Sequence, residues 1–416
     1  KNCLSKKSCI SILSMSNFSC DSFEQIEKNL EKLFVPKYYP GFILSIYENG
    51  NETYYIKKGY DDIFKKTEYK RNSIFRIYSM TKPIVSTAAM QLIEKKQLDL
   101  DDDVSSYIPE WKESNFINSL SNKSITIKDL FTHTAGFTYG FQGQSKIDEQ
   151  YITNGINSVV DSGLSPSEII KELSNIPLEF SPGSFYNYSI SIDILGFIIE
   201  RISNNSLDEY LNKNIFNILG MKDTSFTLDT LKAERLAMCY RWDANKNKYE
   251  INNLKPNPNI KVKSYLKKPK SFSGGAGLLS TMGDYQLFGS AILDAKKGRD
   301  NSLINQETAK LMMMNHLPDN KHINELSKYP LKGKQYYKGH GFGLGGSICI
   351  DENTGLSNSR EGDFGWGGAA STSFYISDKF DYSLVFLTQV LESEETRKLN
   401  SEIKKLVNGC VDVHKK

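Results

Sequence analysis

The segment Ser79-Met-Thr-Lys-Pro-Ile-Val-Ser-Thr-Ala-Ala-Met-Gln-Leu-Ile-Glu94 predicts a buried helix with a reactive residue at its start. Its apolar residues recur with the 3.6-residue period of one helix face, at Val85, Ala88, Ala89, Leu92 and Ile93. Pro83 is tolerated only in the first turn of a helix, so we expect the helix to begin near Ser79.

The first turn of the predicted helix carries a serine and a lysine three residues apart. One helical turn brings Ser79 and Lys82 to the same face, and the free N–H groups of a helix start can stabilise negative charge. Burial would lower the pKa of Lys82 and let its neutral amine accept the proton of the serine hydroxyl. The alternative is that Ser79 only caps the helix while Lys82 lies on the surface.

The Ser-x-x-Lys pattern occurs three times, so the pattern alone carries little weight. Ser264 lies in the segment 255–269, which is rich in Pro and Lys and predicts a surface loop. Ser401 is expected on the exposed face of a C-terminal helix. Only Ser79 begins a buried amphipathic helix, and it is therefore the candidate nucleophile.

Composition excludes several classes of protein. The 416 residues are 39% hydrophobic and 24% charged, which is typical of a globular protein of one to three domains. The difference between 52 basic and 49 acidic residues is +3, too small to attract nucleic acid. No run of 18 apolar residues predicts a membrane span. The six cysteines form no C-x-x-C pair and are expected to be reduced.

Other catalytic constellations find little support, and no cofactor or metal is expected. G-x-S-x-G and H-E-x-x-H are absent from the sequence. His133 follows a short predicted helix, where a histidine commonly meets the last carbonyls, so a structural role is favoured. The segment Gly341-Phe-Gly-Leu-Gly-Gly346 fits G-x-G-x-x-G, but it precedes a strand and not the helix that a dinucleotide site requires.

Strand and helix patterns at the two ends of the chain predict one shared sheet. The predicted elements are a helix at 23–34, strands at 42–47 and 53–57, strands at 372–376 and 382–388, and a helix at 394–411. Helices predominate between them. The expected fold class is α+β, an antiparallel sheet flanked by helices with an inserted all-helical domain. We expect an N-terminal extension at 1–21, an α/β domain at 22–75 and 270–412, and a mainly helical domain at 76–269.

Several segments, in order, resemble the serine hydrolases related to class C β-lactamases and penicillin-binding proteins, and most closely family VIII carboxylesterases. The resemblance runs from about Phe42 to Gln389. Its landmarks are Ser79-Met-Thr-Lys-Pro-Ile84, Leu98-Asp-Leu-Asp-Asp-Asp-Val104, Ile127-Lys-Asp-Leu-Phe-Thr-His-Thr-Ala-Gly136, Tyr188-Ser-Ile-Ser-Ile-Asp-Ile-Leu-Gly196, Leu219-Gly-Met-Lys-Asp-Thr224, Ser273-Gly-Gly-Ala-Gly-Leu-Leu-Ser-Thr281 and Phe364-Gly-Trp-Gly-Gly-Ala369.

The resemblance implies a role for each site residue. Ser79 would be the acylated nucleophile, Lys82 its base partner and Tyr188 the second member of a proton relay. Tyr186 is a rival for this last role, and only the spacing to the following Leu-Gly pair selects Tyr188. The backbone N–H groups of Ser79 and Ala369 would form the oxyanion hole.

Two departures from the family pattern bear on the substrate. Trp366, Gly367 and Gly368 stand where β-lactamases usually carry Lys-Thr-Gly, and Ile190 replaces an Asn that many relatives place two residues after the tyrosine. All four are expected to contact substrate. The lost lysine and amide weaken β-lactam recognition, so short-chain esters are expected to be better substrates than cephalosporins.

The predicted activity is hydrolysis of a small-molecule carboxylic ester through an acyl-enzyme. A β-lactamase, a D-amino-acid peptidase and an acyltransferase remain alternatives, as does a non-catalytic module that binds peptidoglycan or another ligand. Neither the natural substrate nor the oligomeric state is predicted. Met15 is interpreted as the biological start, with residues 1–14 as upstream sequence, and a cytoplasmic location is expected unless residues 1–20 derive from a signal peptide.

Overall fold

A computed structural model describes eight stretches of the chain. They are residues 16–33, 39–112, 123–243, 245–251, 265–299, 302–354, 359–391 and 393–411. Most of the predicted N-terminal extension, the predicted start at Met15 and the Ser-x-x-Lys serine Ser264 lie outside these residues. No helix of the described part combines the length and the apolar character needed to cross a membrane.

The described residues form eleven strands and fourteen α-helices. The strands are β1 (Gly41–Glu48), β2 (Asn51–Gly59), β3 (Phe75–Arg76), β4 (Tyr240–Asp243), β5 (Lys248–Ile251), β6 (Leu279–Ser280), β7 (His340–Phe342), β8 (Ser347–Cys349), β9 (Phe364–Gly368), β10 (Thr372–Ser377) and β11 (Tyr382–Leu387). The helices are α1 (Cys20–Leu33), α2 (Thr81–Glu94), α3 (Ile127–Phe131), α4 (Lys146–Thr153), α5 (Val159–Ser162), α6 (Pro166–Leu173), α7 (Ser191–Ser203), α8 (Leu207–Leu211), α9 (Asn217–Leu219), α10 (Thr230–Ala233), α11 (Met282–Lys297), α12 (Gln306–Met312), α13 (Ile323–Leu326) and α14 (Glu394–Gly409).

A seven-stranded antiparallel sheet joins the two ends of the chain, and the predicted fold class is confirmed. Its order is β2-β1-β11-β10-β9-β8-β7. β1 lies between β2 and β11, so that Ile43 pairs with Lys57 on one side and Leu387 on the other. Asn49 and Gly50 both have positive φ, 50° and 72°, as the tight turn of the predicted first hairpin requires.

Each face of the sheet buries a separate set of side chains, because successive strand residues point to opposite faces. Leu384 and Phe386 belong to the core under the terminal helices α1 and α14. Val385 and Leu387 belong to the larger core, which also includes residues of α2 and α7. α11 contacts β11 and β1. The helix α2 therefore lies inside the larger core rather than on its surface.

The segment between β2 and β7 is less purely helical than expected. Within 76–269, the hairpin β4–β5 forms a short two-stranded sheet, and β6 at 279–280 pairs with β3 just before the turn that carries Ser79. Tyr240 also bridges to Val390, next to the end of β11. This part of the insertion thus contacts the sheet, and the division of the chain into two domains stays a prediction.

Side-chain burial in the central strand gives a test of the sheet. Phe374 of β10 is 0% exposed. We expect Phe374→Ala to lower the free energy of unfolding by about 3 to 5 kcal/mol, because it removes a buried ring and leaves a cavity. The control is Phe64→Ala at a side chain that is 64% exposed, where the change should stay within about 0.5 kcal/mol. Urea unfolding measures both, and equal midpoints would contradict the assigned core.

Candidate active site

A short 3₁₀ turn, Tyr78–Met80, presents Ser79 at the edge of a cleft immediately before α2. Tyr78 has φ of 42°, which is uncommon for a bulky residue and indicates a backbone held by its surroundings. One such restraint is the hydroxyl of Tyr285, which donates a 2.7 Å hydrogen bond to the carbonyl of Met80. The predicted helix start is thus replaced by a tighter turn that leaves Ser79 half-buried.

Lys82 is completely buried one turn after Ser79 and points back towards it. Its Nζ donates to the Ser79 Oγ at 3.3 Å, to the Tyr139 hydroxyl at 3.1 Å and to the carbonyl of Gly275 at 2.8 Å. The surface position that was the alternative for Lys82 is excluded by this burial. The three contacts fix the amine within reach of the serine oxygen.

Tyr188 meets Ser79 from the other side of the cleft. Its hydroxyl donates to the Ser79 Oγ at 2.6 Å, and the Nζ of Lys82 lies 4.4 Å from the centroid of its ring. Tyr186 is buried and also lines the cleft, but its recorded ring contacts are with His133 and Phe342. The geometry therefore brings Tyr188, rather than Tyr186, against the serine.

A buried carboxylate, Asp193, completes a network that the sequence did not predict. Its Oδ1 accepts hydrogen bonds from the Ser273 hydroxyl at 2.5 Å and from the Gly275 N–H at 3.0 Å, and Tyr139 donates to Oδ2 at 3.5 Å. A Cβ on Gly275 would lie 2.4 Å from Oδ2, so only glycine fits there. The sequence contained one signal for this network. Asp193 is an acidic residue in the otherwise apolar first turns of α7, and a carboxylate that is buried there needs hydrogen-bond partners.

The electrostatics of this network favour a neutral Lys82. Burial lowers the pKa of Lys82 to about 7, although the nearby charge of Asp193 opposes the shift. Burial also raises the pKa of Asp193, opposed by Lys82 and by its hydrogen bonds. An amine with a pKa near neutrality can accept and return a proton under ordinary conditions.

Strand β9 forms the wall opposite α2. Trp366, Gly367, Gly368 and Ala369 all line the cleft, and their contact with substrate stays a prediction. A Cβ on Gly368 would lie 2.3 Å from the carbonyl oxygen of Ile77, so glycine is needed for β9 to approach the turn that carries the serine. This approach places Ala369 beside the same cleft as Ser79.

Ile190, which was predicted to contact substrate, does not line the cleft. It is 0% exposed, belongs to the larger core at the start of α7 and is separate from the residues that line the cleft. The cleft wall instead contains two cations that the sequence analysis did not consider, Lys332 and Arg397. The expected contact of Ile190 with substrate is therefore wrong, whereas the weak recognition of β-lactams stays a prediction.

His133 follows α3 as predicted, and its backbone N–H donates to the Leu130 carbonyl at 3.5 Å, while its side chain is buried beside Tyr188. Its Nδ1 accepts a 3.2 Å hydrogen bond from the Ser189 N–H, and its ring centroid is 4.8 Å from that of Tyr188. Burial and the charge of Lys82 hold the pKa of His133 well below its usual value. A neutral histidine in this position supports the tyrosine ring.

The burial of Ser401 also differs from the prediction. It is only 7% exposed, whereas the sequence placed it on the exposed face of α14. It lines a smaller pocket with Lys404 and His340, and this pocket shares Trp366 and Gly367 with the cleft. Gly341 to Gly346 form β7 and the turn into β8, so the G-x-G-x-x-G match begins no helix.

The chain is similar in sequence to proteins of known activity. The chain is 26% identical to the acyltransferase calJ of Penicillium decumbens over 360 residues, which cover 82% of this chain and 81% of that protein. It is 31% identical to the esterase EstB of Burkholderia gladioli over 202 residues, or 48% of this chain and 50% of EstB. Curated relatives thus include an esterase and an acyltransferase.

Solved structures share the fold. The chain resembles EstCE1, "a hydrolase with promiscuous acyltransferase activity", with a TM-score of 0.79, 24% identity and coverage of 94% of this chain and 100% of that one. Simvastatin synthase (LovD) from Aspergillus terreus gives a TM-score of 0.77 at 20% identity, covering 94% and 99%. The model of one family, Beta-lactamase, matches residues 26–408, and the chain therefore belongs to the Beta-lactamase family.

Proposed function

We propose that this protein is a serine hydrolase that cleaves carboxylic esters through an acyl-enzyme on Ser79. The observation that carries the proposal is the convergence of two proton-transfer groups on one hydroxyl. Lys82 Nζ and the Tyr188 hydroxyl lie 3.3 and 2.6 Å from the Ser79 Oγ. A cap or a structural serine needs neither group, whereas an attacking serine needs a nearby base.

Acylation begins with attack of the Ser79 Oγ on the ester carbonyl carbon. The hydroxyl proton passes to the neutral amine of Lys82, and the new ammonium donates to the Gly275 carbonyl and the Tyr139 hydroxyl. The negative charge of the carbonyl oxygen would be stabilised by the N–H groups of Ser79 and Ala369. The alcohol oxygen then leaves with one proton delivered through Tyr188, and the Lys–Tyr pair ends as neutral as it began.

Deacylation uses the same residues in reverse. Water gives a proton to the pair as its oxygen attacks the acyl carbon, and the Ser79 oxygen takes a proton back when it leaves. The cleft is open and encloses about 1050 Å³, including solvent at its mouth, so water can reach the acyl group.

An acyltransferase is the second candidate, because an alcohol can replace water in that step. The similarity to the acyltransferase calJ over 82% of this chain favours it. The same open cleft would admit an acceptor alcohol beside the acyl-enzyme. Product analysis with a short ester as donor and added alcohols distinguishes transfer from hydrolysis.

Ser79→Ala should lower kcat for p-nitrophenyl butyrate by at least about a thousandfold, because it removes the attacking oxygen. A fluorophosphonate should label the peptide that contains Ser79, as detected by mass spectrometry after digestion. Ser401→Ala is the matched control, since it removes the other described Ser-x-x-Lys serine without touching the relay. Labelling of Ser401 in place of Ser79 would contradict the proposal.

Tyr188→Phe should fold normally but lose most activity, about a hundredfold or more, since it deletes one hydroxyl that contacts Ser79 and keeps the ring. Tyr186→Phe is the control, because Tyr186 lines the same cleft two residues earlier. Circular dichroism checks folding, and kcat/KM is compared for both variants. A larger loss of kcat/KM in Tyr186→Phe than in Tyr188→Phe would show that Tyr188 is the wrong tyrosine for the relay.

The pH profile should rise with pH through an apparent pKa near 7, because burial lowers the pKa of Lys82 to about 7 and only the neutral amine accepts a proton. The negative charge of Asp193 raises the pKa of Lys82. Asp193→Asn should therefore move the acid limb of kcat/KM to lower pH, in a variant first checked for folding. A shift to higher pH would show that Asp193 does not act on Lys82 by its charge.

A further inference from the structure

A buried glutamine, Gln389, lies between the end of the last sheet strand and the short strand that leads to Ser79. It follows β11 by two residues and is 0% exposed. Its side-chain amide contacts Arg76, the last residue of β3, and Arg76 precedes Ser79 by three residues. Gln389 is not among the described residues that line the cleft, so its influence on the site passes through the backbone that it holds.

The amide of Gln389 pairs with the backbone of Arg76 as a neighbouring strand would. Its Oε1 accepts a 3.1 Å hydrogen bond from the Arg76 N–H, and its Nε2 donates to the Arg76 carbonyl at 3.1 Å. The guanidinium of Arg76 also donates to Oε1 at 3.5 Å, and Nε2 donates to the Thr388 carbonyl at 2.9 Å. Donors thus surround the amide oxygen and acceptors surround the amide nitrogen, which fixes the orientation of the side chain.

This contact supports one of the two edges of β3. On the other edge β3 pairs with β6, where Arg76 lies opposite Leu279. β3 has only two residues, so each edge contributes a large part of the hydrogen bonds that define its path. The turn that presents Ser79 follows β3 almost directly. The Gln389 amide therefore helps to fix where the chain enters this turn.

The residue after Gln389 holds the opposite side of the proposed oxyanion hole. The Val390 N–H donates to the Ala370 carbonyl at 3.2 Å, and the Ser371 hydroxyl donates to the Val390 carbonyl at 2.7 Å. Ala370 directly follows Ala369, whose N–H is the second proposed donor to the oxyanion. Two consecutive residues, 389 and 390, are therefore bonded to both of the segments that would supply these donors.

The relative position of the two N–H groups needs such a link, because Ser79 and Ala369 come from segments far apart in the sequence. The close contact between Gly368 and the Ile77 carbonyl limits how near the segments approach. A contact of this kind does not by itself prevent one segment from sliding along the other, whereas directional hydrogen bonds do. An oxyanion hole is effective when its donors are held in place before the reaction.

We propose that Gln389 is a positioning residue, which fixes the separation of the Ser79 and Ala369 N–H groups and thereby the stabilisation of the oxyanion. The inference rests on the proposed function and describes how the same site would stabilise its transition state. A misplacement of about 1 Å in a reacting group can cost about a hundredfold in rate. Loss of the amide should therefore slow the reaction without weakening the binding of the unreacted ester.

Gln389→Met tests the proposal, because methionine has a similar length but cannot form the hydrogen bonds to Arg76. We expect kcat for p-nitrophenyl butyrate to fall about tenfold or more, with little change in KM. Butylboronic acid, which forms a tetrahedral adduct with the Ser79 Oγ, should bind more weakly by a similar factor. The inhibition constant of N-phenylbutyramide, an analogue of the unreacted ester, should change by less than about twofold.

Gln286→Met is the matched control. Gln286 is also 0% exposed, and its amide donates to the Ser45 carbonyl at 2.7 Å and accepts from the Ser383 hydroxyl at 2.8 Å. It lies on α11 against β1 and β11 and is not among the described residues that line the cleft. Its substitution should lower the urea midpoint, as in Gln389→Met, but leave kcat and the affinity for the boronic acid unchanged.

Gln389→Glu gives a second measurement if the methionine variant does not fold. The carboxylate keeps the size of the side chain and the acceptor for the Arg76 N–H, but it cannot donate to the Arg76 carbonyl. We expect kcat and boronic acid affinity to fall here too, in protein whose folding is checked by circular dichroism.

The outcomes separate this inference from the proposed function. Native values of kcat and boronic acid affinity in the Gln389 variants, or an equal loss in Gln286→Met, would overturn the inference and leave the esterase proposal intact. If the native protein hydrolyses no ester and binds no boronic acid, the proposed function itself fails.

Discussion

The burial of one amine, that of Lys82, is the constraint on which the rest of the site depends. An uncharged lysine can be kept in a core only if its N–H groups have acceptors and its surroundings exclude water. The Gly275 carbonyl supplies an acceptor at 2.8 Å, and Asp193 holds the Gly275 loop in place through its N–H and the Ser273 hydroxyl. The buried Asp193 carboxylate thus positions the carbonyl of Gly275, which accepts a hydrogen bond from the buried amine of Lys82.

The sheet bounds the same site on the side opposite α2. β9 can lie against the turn that carries Ser79 only because Gly368 has no Cβ to meet the Ile77 carbonyl. β9 is in turn fixed by β10, where Gly367 pairs with Ser373 and Trp366 with Phe374. The C-terminal half of the chain therefore closes a cleft whose reactive residues come from its N-terminal half, and neither half forms the site alone.

Much of this arrangement could be predicted from local patterns. The hairpin at Asn49-Gly50, the helix α14 and the buried helix that follows Ser79 each have a signal within a few residues. The Asp193 network and the cations of the cleft wall have no such local signal, because they depend on loops that are far apart in sequence. Ile190 shows the same limit, since its position next to Tyr188 in the chain gave no indication that its side chain enters the core.

Trp366 stands where β-lactamases usually carry a lysine, but it is only one of the residues that set the charge of the cleft. A tryptophan removes a cation from β9, but Arg397 and Lys332 supply positive charge from α14 and the loop after α13. Because the field of a site is set by all its charges and not by one motif, the absence of a lysine from β9 does not leave the cleft without positive charge.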